Sequence, residues 1–133
     1  MGFFSKSKKT VSPQGALVLA MMEMIEIDGD IDDDELAILE RILNNSDEAE
    51  SFEELDKLRD DTEIMDLIEL IANSLNEQQR ITVIANLLDT AMADGVLGDS
   101  EKLLLKAFIN GFKMDSDDVE TIIRVIAIKN RAL

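Results

Sequence analysis

The sequence predicts an all-α fold, a single helical bundle of about seven helices built from two duplicated helix-turn-helix units. Three observations carry that prediction. Apolar residues recur at three and four residue steps along most of the chain, as one face of an α-helix requires. Only one Pro and few alternating β-branched runs interrupt the 133 residues. An acidic turn motif occurs twice at a constant spacing.

The first helix is expected over about Gln14 to Ile27, with Leu17, Ala20, Met21, Met24 and Ile27 on an amphipathic face. It stops at Asp28-Gly29, a dipeptide suited to the backbone that closes helices. Leu36, Leu39 and Leu43 mark a second helix, about Asp33 to Asn44. Its leading Asp32 and Glu35 have capping-box spacing. Phe52, Leu55 and Leu58 predict a short third helix from about Ser51 to Arg59. Ile64, Leu67, Ile68 and Ile71 mark a fourth, reaching about Ser74 from a start near Thr62. Asn76 and Gln79 cap a fifth, about Glu77 to Ala93, which ends at Asp94-Gly95. A sixth follows over about Asp99 to Gly111, and Asp115-Ser116 caps a seventh, about Asp117 to Asn130.

Asp28-Gly29-Asp30-Ile31-Asp32-Asp33-Asp34-Glu35 aligns with Asp94-Gly95-Val96-Leu97-Gly98-Asp99-Ser100-Glu101 at an offset of 66 residues. The shared skeleton is D-G-x-[IL]-x-D-x-E. The register extends upstream, where Glu23 falls on Asp89, and downstream, where Leu39 falls on Leu105. Two copies are too few for an extended repeat array, so they are expected to close on each other as a bundle. Residues 1–12 read as a flexible basic tail and residues 13–133 as the helical domain.

Composition removes whole classes of chemistry. The chain has no His, Cys, Trp or Tyr, which excludes Ser-His and Cys-His nucleophiles, structural zinc, iron–sulfur clusters, haem held by His, and disulfides. No nucleophile–base pair or phosphate loop is visible, and the aromatic platforms of a sugar cleft are missing, so no enzymatic activity is expected. A net charge of −16 argues against nucleic acid as a partner. No apolar run is long enough for a signal peptide or a transmembrane segment, so a cytoplasmic location is expected. Phe3 and Phe4 followed by Lys6, Lys8 and Lys9 offer at most a grazing contact with an anionic membrane, and a polar tail is the simpler reading.

The acidity is concentrated. Residues 10–62 hold 17 acids and 3 bases, and Glu23 to Glu35 carries eight acids with no base. An EF-hand does not fit, because Asp33 stands where the turn Gly belongs and Leu39 where a bidentate Glu must close the shell. Much of the repeated skeleton is explained structurally: Gly29 and Gly95 turn the chain, Ile31 and Leu97 plug the core, and Glu35 and Glu101 cap the following helices. Glu23, Glu26, Asp30 and Asp89 are not explained that way, since acids clustered at a helix C-terminus oppose its dipole. Their repulsion requires an offset, and a hard divalent cation held by carboxylates is one candidate.

The paired motifs, each closing a helix that ends in a small or apolar run (Ile25-Glu26-Ile27 and Ala91-Met92-Ala93), resemble the TerB-like tellurite-resistance family. The resemblance covers about Val11 to Arg131, and Ala93 to Glu101 is its most typical piece. A related domain occurs in a membrane-anchored J-domain co-chaperone. The resemblance implies an all-helical bacterial cytoplasmic domain acting as a non-enzymatic accessory in stress response, beside a membrane-associated protein partner. It also implies a surface for a divalent cation (Ca²⁺, Mg²⁺ or Mn²⁺) at Asp28, Glu35, Asp94 and Glu101, to which the repeat register adds Glu23 and Asp89. Ile27 departs from the small residue usual before Asp-Gly. The alternative is a helical adaptor, similar to a co-chaperone module, whose acidic turns are purely structural and whose acidic face docks basic segments of a protein.

Overall fold

The computed structural model describes residues 10–92 and 97–132, and among them it contains seven α-helices and no strand. They are α1 (Pro13–Glu26), α2 (Asp33–Leu43), α3 (Phe52–Asp60), α4 (Ile64–Asn73), α5 (Glu77–Ala91), α6 (Asp99–Gly111) and α7 (Ser116–Ala132). None of the described helices is long and apolar enough to cross a membrane. The aromatic and basic residues of the first nine positions, and Ala93 to Val96 of the second turn, lie outside the described residues.

Local hydrogen bonds explain where the helices start. Reciprocal capping boxes open α2, α3 and α5: Glu35 N–H donates to Asp32 Oδ1 at 2.7 Å, Glu54 N–H to Ser51 Oγ at 3.1 Å, and Gln79 N–H to Asn76 Oδ1 at 2.8 Å. In each case the third helical residue accepts from the cap backbone in return. At α6 only the returning half exists, because the cap residue is glycine: Gly98 N–H donates to Glu101 Oε1 at 2.7 Å. Thr62 does not cap α4. Its hydroxyl donates to Leu58 O at 2.6 Å, and Glu63 takes the cap position without a side-chain bond.

Expected to be amphipathic, α1 is instead the central helix. Gly15, Ala16, Val18, Leu19, Ala20, Met21, Met22 and Met24 are all buried, and α1 packs against α2, α3, α4 and most extensively α5. The cause is the unbroken apolar run Ala16 to Met22, since a helix apolar on every side is stable only when sheathed. Each fully buried Leu or Met there contributes roughly 2 kcal/mol. Its N-terminus is tied down by Ser12, whose hydroxyl accepts from Gly15 N–H at 2.9 Å and donates to Glu50 Oε1 at 2.7 Å. Glu50 Oε2 also accepts from Ser12 N–H at 3.0 Å. Val11 is buried and its N–H donates to Ser74 Oγ at 2.8 Å, so Val11 belongs to the packed body.

Beside α1, α5 supports α6 and α7, and α4 packs on α6. At that last crossing a Cβ on Gly111 would overlap Ile68 Cγ2, so glycine allows the close approach. Phe108 and Phe112 meet edge to face, with ring centres 5.7 Å apart. The Arg80 guanidinium donates to Ala72 O at 2.7 Å and to Phe112 O at 3.3 Å, placing a cation on the C-terminal ends of α4 and α6. Beyond Phe112, Lys113 adopts φ 57°, with Lys113 N–H on Asn110 O and Met114 N–H on Ile109 O. These two bonds form a Schellman closure with lysine where glycine is usual.

Candidate functional site

Glu23 and Glu26 lie in the last turn and a half of α1, where the helix dipole disfavours negative charge. The offset that the sequence demands comes from the protein itself. Arg59, near the end of α3, places Nη1 3.2 Å from Glu23 Oε2 and 2.9 Å from Glu26 Oε1, and its Nη2 also pairs with Glu26 Oε1. One guanidinium thus bridges two carboxylates of another helix. The Arg59 side chain is only 11% exposed, and its Nε is buried without a hydrogen-bond partner. Burial pushes the Glu23 carboxyl above the usual glutamate range; the Arg59 charge works against that rise and the Glu26 charge with it.

Around this triad lies a polar cleft of about 430 Å³, lined by Glu23, Glu26, Ile27, Arg59, Asp60, Thr62, Ile64 and Leu67. Its chemistry is that of an ion-paired, half-buried carboxylate beside a fixed cation. The sequence reading used Arg59 and Thr62 only as helix boundaries. A signal for Arg59 did exist: it follows buried Leu55 by four residues and therefore shares the inward face of α3.

The six proposed cation ligands occupy different situations. Glu23 is held by Arg59. Asp28 is exposed in the turn after α1, and Gly29 beside it adopts φ +148°. Glu35 and Glu101 each use one carboxylate oxygen to accept from the cap backbone of their own helix. Asp89 is half-buried on α5, and Asp94 lies outside the described residues. Among the described residues no group of three or more carboxylates is arranged to hold a metal ion. Asp28, Asp30, Asp33 and Asp34 are exposed and make an acidic rim along the chain from the end of α1 into the first turn of α2.

The family model described as tellurite resistance protein TerB matches residues 14–124, a span from the first turn of α1 into α7. No curated protein and no solved structure matches the chain.

Proposed function

We propose a role from one premise: the chain belongs to the TerB family of tellurite resistance proteins. We infer a non-enzymatic accessory domain of that type, whose acidic rim at the α1–α2 turn docks a basic segment of a protein partner. The observation that carries this is the division of labour among the acids. Arg59 pairs with Glu23 and Glu26, whereas Asp28, Asp30, Asp33 and Asp34 remain exposed without an ion pair among the described residues. An unpaired anionic rim steers and orients a cationic partner more than it adds affinity. In this reading the partner is a membrane-associated protein of a stress-response system, as the family resemblance implies. Titration with a synthetic Lys/Arg-rich peptide tests the proposal. Binding should weaken with salt, ignore chelator and fall in Asp30→Asn/Asp33→Asn/Asp34→Asn; no binding by the parent protein rejects it.

A second reading places a divalent cation on the same turn, and the excess of carboxylates over the single Arg59 favours it. Asp28 and Glu35 with Glu23, and their register mates Asp94 and Glu101 with Asp89, are its ligands. Support for treating the α1–α2 and α5–α6 pairs as duplicates comes from α2 and α6 starting at Asp33 and Asp99 with a capping Glu in the same place. Calorimetry with Ca²⁺, Mg²⁺ and Mn²⁺ on the parent, Asp28→Asn and Asp94→Asn decides this reading. A melting temperature that chelator leaves unchanged counts against it, because a ligand selective for the folded state raises that temperature.

A further inference from the structure

The stretch Lys102 to Met114 holds three Lys and no acid, in a chain of net charge −16. It forms most of α6 and divides into two sides: Leu105, Phe108 and Phe112 are buried, whereas Lys102, Leu103 and Lys106 are exposed. Between the outer side of α6 and α7 runs an open apolar groove of about 530 Å³, lined by Leu97, Leu105, Ile109, Val119 and Ile123. Lys102 and Lys106 stand at its edge one helical turn apart, with Asp99 ahead of them. Neither lysine side chain has an ion pair or hydrogen bond among the described residues. Leu103 is 69% exposed and Ile123 41%. Contiguous apolar surface left open in this way marks an interaction site.

We propose that the α6–α7 groove docks an acidic amphipathic helix of a partner protein, its apolar side in the groove and its carboxylates on Lys102 and Lys106. The groove follows α6 from Asp99 to Ile109, about 15 Å or nearly three helical turns at 1.5 Å per residue. That length accommodates apolar anchors at i, i+3 or i+4, and i+7, the pattern of a helix seated in a groove. Carboxylates four residues apart on the incoming helix match the four-residue spacing of the two lysines. Other occupants fit less well. The basic stretch of residues 1–9 has the same sign as the lysines, a second copy meeting this groove with its own would set lysines against lysines, and two lysines are too few for stable attachment to anionic lipid. Screening over about 8 Å at physiological ionic strength leaves the nearest charges to decide. This surface is separate from the acidic rim, and its test is independent of the proposed function.

The test is fluorescence anisotropy of a labelled synthetic helix of about four turns, with Leu on one face and Glu on its flanks, against an otherwise identical Lys version. The Glu helix should bind the parent protein in preference to the Lys helix. Lys102→Glu/Lys106→Glu should weaken the Glu helix about tenfold and invert the preference, because both rim contacts turn repulsive. Ile123→Asp should remove both. All three positions are exposed, and circular dichroism verifies that the variants fold. No binding of the Glu helix, or equal binding of the two helices, overturns the proposal. So does a saturable response to phosphatidylglycerol vesicles that the Glu helix does not displace. A monomer–dimer equilibrium abolished by Ile123→Asp assigns the groove to a second copy and overturns it as well.

Discussion

The guanidinium of Arg59 stands 3.2 Å from the carboxylate of Glu23, 36 residues earlier in the chain, and closes the C-terminal end of α1 against α3. The pair is largely withdrawn from water, with the Arg59 side chain 11% and the Glu23 side chain 21% exposed. Arg59→Met removes the cation and leaves Glu23 and Glu26 facing each other at the negative end of a helix dipole. The expected loss is about 2 kcal/mol, below the figure for a fully buried pair because Glu23 retains some solvent. Urea denaturation measures it, and a change within error of zero would remove Arg59 as the structural counter-ion.

The raised pKa of Glu23 fixes the sign of a pH effect. Where the folded state holds this proton and the unfolded chain does not, the fold binds more protons, so raising the pH lowers stability. The window runs from the ordinary glutamate range up to the raised native value, and above it the penalty is constant. Relative to Glu23→Gln, the parent protein should therefore lose stability as pH rises through that window. Denaturation of the two proteins side by side from mildly acidic to neutral pH checks it; a difference that grows the other way contradicts the burial account.

Glu35 and Glu101 test whether a carboxylate or merely an acceptor is needed. An amide oxygen can receive the cap N–H in the same place, as Gln79 does for Asn76. Glu35→Gln should cost a few tenths of a kcal/mol and Glu35→Ala about 1 kcal/mol. Thermal denaturation in chelator separates the two; equal and large losses would mean that the negative charge itself is required.

At the α4–α6 crossing, Gly111→Ala adds a methyl group where Ile68 already stands. The overlap should cost about 1–2 kcal/mol net of the improved helix propensity. In an Ile68→Ala background most of that cost should vanish, and additive losses in the double mutant would disprove the contact.

Lys113 holds a left-handed backbone that favours glycine. Lys113→Gly should stabilise the protein by up to about 1 kcal/mol, since the Schellman bonds are kept and the Cβ penalty is removed. A lower denaturation midpoint would show that the lysine side chain compensates in a way the backbone does not reveal.

What could be read from sequence follows the range of the interactions. The start of α2 at Asp33, the start of α5 at Glu77 and both ends of α6 coincide with the expected positions, because caps and turns are written within four residues. The predicted end of α5 at Ala93 falls two residues beyond the observed Ala91. Met21 and Met24, placed on the apolar face of the first helix, are core residues, and Met22 beside them is buried as well. The burial of α1 on all sides was present in the Ala16 to Met22 run, but periodicity alone reports one face. The position of Arg59 four residues after Leu55 marks it as inward-facing, but nothing local names its partners. The bridge depends on how α3 lies across α1, a relation between segments far apart in the chain, and so the excess of acid near Glu23 suggested an outside cation.

Ser12 and Glu50 together set a limit on trimming. Glu50 receives both the amide and the hydroxyl of Ser12, and Ser12 in turn satisfies Gly15. A version shortened to start at Gln14 would strip the central helix of its lid and strand the Glu50 carboxylate, loosening the connection between α2 and α3 from a cut made almost forty positions away. Tags or fusions that replace Val11 or Ser12 would carry that loss with them.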